Sequence, residues 1–168
     1  MTNRKIPLLL AALGGLIVVN AALAQLANSI ATPGETEVAR VRAEGAQIYE
    51  CKAASDGALA WQFREPIATL ITDGKTIGRH YAGPNWELID GSAVSAKPIA
   101  NVAGGTPADI PWLKLEVTGR RGAGRLTDVT SVLRINTQGG ALTGPCDKPG
   151  SLRAVPYAAD YVFLRRDA

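Results

Sequence analysis

Ile67-Ala68-Thr69-Leu70-Ile71, Asp73-Gly74, Thr76-Ile77-Gly78-Arg79-His80-Tyr81, Gly83-Pro84, Asn85-Trp86-Glu87-Leu88-Ile89, then Asp90-Gly91-Ser92: this stretch decides the fold. Strand-length runs rich in β-branched and aromatic residues alternate with turn signals. Asp-Gly between such runs is a strong short-range hairpin signal, because tight hairpin turns need positive φ. Gly83-Pro84 breaks the chain once more. Trp86 and Leu88 fall on one side of their run and Glu87 on the other, as a half-buried strand requires.

The same punctuation extends in both directions. Upstream, Glu37 to Arg42 reads as a first strand that Gly45 breaks, and Gln47 to Lys52 as a second with Tyr49 and Cys51 on one face. Ser55-Asp56-Gly57 is a turn, and Trp61 and Phe63 then share a face expected to be core. Downstream, Ser92 to Ile99 returns as strand, with Pro98 as an edge or bulge marker. A loop from Gly104 to Pro111 follows, and Trp112 to Val117 alternates again. Leu126 to Thr137 reads as one long strand with Val129, Leu133 and Ile135 inward. Pro156 to Leu164 sets Tyr157, Ala159, Tyr161 and Phe163 on one face. No window shows sustained helical periodicity. The expectation is an all-β chain: a single antiparallel β-sandwich or barrel-like domain over residues 37–168.

Residues 1–24 read as a secretory signal peptide. Arg4 and Lys5 precede the apolar run Leu8 to Val19, and Ala22-Leu23-Ala24 fits a small-x-small cleavage site. The apolar run is shorter than the roughly 20 residues of a bilayer-spanning helix, so no membrane span is expected after cleavage. Residues 25–36 read as a flexible lead-in. The formal charge of +3 includes Arg4 and Lys5, so the basic balance is partly an export device and gives no case for nucleic acid as partner. The expected location is periplasmic or extracellular. There, the two cysteines, Cys51 and Cys146, most simply form one disulfide.

Ordered blocks of the chain resemble those of one family. They are Gly45 to Cys51, Trp61-Gln62-Phe63, Gly78 to Glu87 with Asp90-Gly91-Ser92, Ile110 to Leu113, Arg134 to Gly140 with Cys146, and Val155 to Phe163. Together they resemble domain-of-unknown-function family 3455, small exported proteins of bacteria and fungi. That resemblance implies an exported single domain and carries no activity, cofactor or functional residue with it.

His80 is the single histidine and the natural acid or base near neutral pH. Glu87 and Asp90 are the carboxylates that could orient it, which gives a hydrolase reading with His80, Glu87 and Asp90 as catalytic candidates. No nucleophile elbow accompanies them. One histidine and two oxidised thiols leave mainly carboxylates as ligands, so no metal and no cofactor are expected. Arg79, His80, Tyr81, Asn85, Trp86 and Glu87 form a candidate ligand-binding segment, with aromatic faces and polar groups suited to a glycan or another cell-envelope component. The competing reading makes His80 a turn residue and Trp86 and Trp112 core. The glycine-flanked Arg120, Arg121 and Arg125 lack a nucleotide-loop context and read as a solvated hairpin tip. The leading expectation is a non-enzymatic extracytoplasmic binding module. The hydrolase and a structural envelope protein are the alternatives.

Overall fold

A computed structural model describes Ile30 and residues 32–168. The expected signal peptide and most of the lead-in lie outside the described residues. Eight strands follow in chain order: β1 Glu35–Ala53, β2 Leu59–Thr72, β3 Lys75–Tyr81, β4 Asn85–Leu88, β5 Ala93–Val102, β6 Trp112–Arg121, β7 Ser131–Gly139 and β8 Leu152–Arg166. Each pairs antiparallel with the next, and β1 pairs antiparallel with β8. The sheet therefore closes on itself as an up-and-down barrel. Of the two architectures the sequence allowed, the barrel is the one formed. Closure leaves no unpaired strand edge, which resolves the role of Pro98: it sits at a register shift between β5 and β6.

The hairpins form where the turn chemistry put them. Asp73 and Gly74 carry φ of 50° and 71° between β2 and β3, the positive-φ pair that a two-residue turn demands. The inward face of β8 is Tyr157, Ala159, Tyr161 and Phe163, all within the buried core.

Four expectations are corrected. Gly45 does not break a strand: β1 runs continuously through it and begins at Glu35, inside the stretch read as lead-in. A Cβ at position 45 would lie 2.1 Å from the Ile67 carbonyl oxygen, so the glycine permits close approach of β1 to β2. Phe63 is not core; it is 55% exposed, and Trp61 is half-buried. A register shift between Ile48 and Tyr49 sets Phe63 opposite Tyr49, at the mouth of the barrel rather than in its packed interior. Leu126 to Thr137 is not one strand. β7 starts at Ser131, with Val132 fully buried and Leu133 and Ile135 only half-buried, while Leu126 and Val129 belong to the β6–β7 connection.

Arg120, Arg121 and Arg125 are all exposed, as a solvated tip requires, and the turn is also anchored from beneath. Arg121 donates to Glu87, Arg120 donates to the Val129 carbonyl, and the Arg125 N–H donates to Asp90 at 2.8 Å. The turn is thereby docked on the β4–β5 connection.

Connections of an up-and-down barrel alternate between its two ends. At one end are the β2–β3, β4–β5 and β6–β7 turns. Leu126 and Val129, both without solvent exposure, join the core cluster there and plug the barrel. At the other end are the β1–β2, β3–β4, β5–β6 and β7–β8 connections. Cys51 at the end of β1 is bonded to Cys146 in the β7–β8 loop, with 95 residues of separation. Tyr49 fastens the same loop, its hydroxyl donating to the Gly140 carbonyl at 2.8 Å and accepting from the Leu142 N–H. This second end is open.

Candidate functional site

Inside the open end is a cavity of about 450 Å³. Its wall is mostly apolar: Ile110, Pro111, Leu113 and Leu115 from the β5–β6 loop and β6, Pro66 from β2, and Pro84 from the β3–β4 turn. Tyr49 and Phe63, ring to ring at 5.9 Å, stand beside the mouth. An eight-stranded barrel has an interior of about the size to hold side chains or one small ligand, and here the lower half takes the side chains.

Strand pairing brings the polar part of the wall together. His80 and Trp86 are directly opposite across β3 and β4, and Arg134 and Tyr161 are directly opposite across β7 and β8. Gln47 reaches the same cavity from β1. His80, Trp86, Tyr161 and Gln47 are 3%, 1%, 1% and 2% exposed. The Trp86 Nε1 has no hydrogen-bond partner, while the Tyr161 hydroxyl has Tyr157 and Arg134 beside it and the Gln47 amide has Tyr157, none of them in a well-aligned bond. A buried polar group left unpaired costs about 1–3 kcal/mol, so a guest that accepted from the Trp86 Nε1 would recover part of that cost.

His80 is positioned by the turn beside it. Its Nδ1 lies 2.8 Å from the Asn85 carbonyl oxygen. A carbonyl only accepts, so Nδ1 carries the proton and Nε2 keeps its lone pair. Asn85 in turn holds the turn closed, its amide donating to the Ala82 carbonyl and its oxygen accepting from Ser95. Burial against Trp86 and Tyr161 pushes the imidazole pKa down to about 4, with the Asn85 bond opposing the shift. The ring is neutral at neutral pH.

Arg134 is the cation of the wall. Its Nε donates to the Pro111 carbonyl at 3.0 Å, and among the described residues it forms no ion pair. Arg64 at the rim, by contrast, is paired with Glu65 at 3.1 Å.

The remaining candidates of the segment lie elsewhere. Alternation places Arg79, Tyr81 and Glu87 on the outer face. Glu87 accepts there from Tyr81 at 2.9 Å, Arg121 at 2.7 Å and Arg79 at 3.2 Å. These bonds, that from Tyr81 foremost, hold its carboxyl below the usual range. Asp90 is occupied by the Arg125 N–H, the main cause of its lowered pKa, and by Ser92. The barrel brings His80 and Trp86 together and brings neither Glu87 nor Asp90 to them. Arg134, Gln47 and Tyr161 escaped the sequence reading. Arg134 was hidden because an arginine in an alternating strand looks solvent-facing; its place directly after Leu133 in an otherwise apolar run was the available signal.

Among the described residues no group of three or more His, Cys, Asp or Glu side chains is placed to hold a metal ion. No helix there is long and apolar enough to cross a membrane. No curated protein matches the chain, and no solved structure does. A family model described as "Protein of unknown function (DUF3455)" matches residues 31–165, so the chain belongs to that family.

Proposed function

We propose that this protein is a non-enzymatic extracytoplasmic binding module that takes one small, largely apolar molecule into the open end of its barrel. One observation carries the reading: a cavity of about 450 Å³ whose buried wall presents the Trp86 Nε1 with no partner. Binding pockets are typically concave, mainly apolar and furnished with a few convergent polar groups. A purely structural barrel gains nothing from an unpaired buried donor and would be more stable with the space filled.

The disulfide is compatible with an oxidising compartment outside the cytoplasm. The apolar wall favours a hydrophobic envelope component or small metabolite over the glycan suggested by the segment's aromatics, since Tyr81 is already engaged by Glu87 and by Arg79, 5.0 Å above its ring. The hydrolase alternative needs a carboxylate beside His80, and both candidates are engaged elsewhere.

The test is a thermal-shift screen of the disulfide-intact protein against apolar small molecules, run beside Leu113→Trp, which fills the cavity from its wall. A ligand at 100 times its Kd stabilises by about 2.7 kcal/mol. Shifts lost in a folded Leu113→Trp protein support the reading. An absence of shifts across the screen overturns it.

A further inference from the structure

The polar atoms of the cavity wall are not an even mixture. Trp86 Nε1 and Gln47 Nε2 can only donate, and so can the terminal nitrogens of Arg134; the Tyr161 hydroxyl can donate as well. Against these stand two atoms that only accept, the Nε2 of His80, whose other nitrogen is committed to Asn85, and the Oε1 of Gln47. A wall so rich in donors calls for an acceptor on the guest.

The sign of the charge agrees. Arg134 is half-buried, its Nε donates to the Pro111 carbonyl, its guanidinium sits beside the Tyr161 hydroxyl, and among the described residues no carboxylate pairs with it. Its position between Leu113 on β6 and Tyr161 on β8 fixes it in the wall. Its charge acts on Tyr49, Tyr161 and His80 alike, favouring negative charge in the space they share. A guanidinium fork matches a planar two-oxygen acceptor, and in a water-poor site such a pair outweighs a neutral hydrogen bond.

We propose that the ligand is an amphipathic monocarboxylic acid, its carboxylate held by Arg134 with the neighbouring buried donors and its apolar body against the Leu113–Leu115 wall. The inference rests on the cavity being a binding site. One unpaired guanidinium balances one negative charge, which fits a carboxylate better than a phosphate monoester.

Titration calorimetry on the disulfide-intact protein with matched probes separates the two claims. The pairs are 2-naphthoate with 2-naphthamide, and dodecanoate with dodecan-1-ol. In at least one pair the acid is expected to bind about tenfold tighter or more than its neutral partner, as charge-assisted bonds imply. Arg134→Met should erase that preference while leaving the neutral partner's affinity near its wild-type value. If the neutral member binds as well as the acid in the wild-type protein, the carboxylate inference is overturned and the binding reading stands. If neither member of either pair binds, and the thermal screen is also silent, the binding reading itself fails. The wild-type comparison decides the matter even if Arg134→Met does not fold.

Discussion

His80 and Trp86 lie face to face inside the barrel, with ring centroids 4.5 Å apart and planes within 8° of parallel. They are cross-strand partners on β3 and β4, and Tyr161 meets both rings edge-on at 4.9 and 5.1 Å. The stack takes the imidazole out of water, and desolvation disfavours its charged form. One contact thus forms a wall of the cavity and keeps its histidine neutral.

Stability should fall with acid through this histidine. The folded pKa of about 4 lies below the ordinary value of 6.5, so between them the unfolded chain binds the extra proton. The contribution is fully present above the ordinary value and is lost as pH falls toward the folded one, with about 3 kcal/mol at stake. Urea melts across that interval should show wild-type stability dropping by up to roughly 1.4 kcal/mol per pH unit more than a folded His80→Gln protein. Parallel pH profiles would contradict the burial account.

Gly45→Ala should destabilise the barrel. The new methyl would lie 2.1 Å from the Ile67 carbonyl oxygen and 2.6 Å from the Ala68 Cα, both backbone atoms of β2. Relief requires the strands to part, a cost of about 1–3 kcal/mol. A lowered urea midpoint checks it, and an unchanged midpoint would count against the close approach.

Replacing both Cys51 and Cys146 by alanine should cost about 2–4 kcal/mol. The bond spans 95 residues, and in the chain-entropy model a loop of that length gives close to the largest effect. The oxidised wild-type protein should show no free thiol when unfolded without reductant. Denaturant melts of the two proteins provide the comparison, and coincident melts would contradict it.

Much of this was legible in the sequence. Asp73-Gly74 marked its hairpin because only a few residues tolerate positive φ, and β8 announced its inward face because nothing interrupts its alternation. The Cys51–Cys146 disulfide followed from two cysteines read together with the expected export signal. What failed has a common physical origin. Phe63 was taken for core because hydropathy cannot tell a ring at the barrel mouth from one in the packed interior. The phase of β7 was misjudged because its inward face carries Arg134, and a cation facing a cavity is indistinguishable by hydropathy from one facing water. The segment divides because alternation sends His80 and Trp86 in and Arg79, Tyr81 and Glu87 out.

That division predicts a contrast between neighbours. Glu87→Ala removes bonds made only on the outer face, so the affinity of a cavity ligand such as 2-naphthoate should stay within about twofold of wild type. Trp86→Phe, next in the chain and inside the cavity, should weaken the same ligand. Calorimetry on both variants checks the pair, and a larger effect from Glu87→Ala would move the site to the outer face.

The most direct measurement of the central claim is the indole N–H region of a proton–nitrogen correlation spectrum, with Trp86 assigned through Trp86→Phe. The Trp86 Nε1 is buried, unpartnered and in the cavity wall, whereas Trp61 lies beyond the wall beside the Ala60–Pro145 bridge. On titration with the naphthyl and dodecyl probes, the account predicts that the Trp86 signal moves saturably while that of Trp61 stays fixed. A Trp86 signal that none of the probes moves would contradict it.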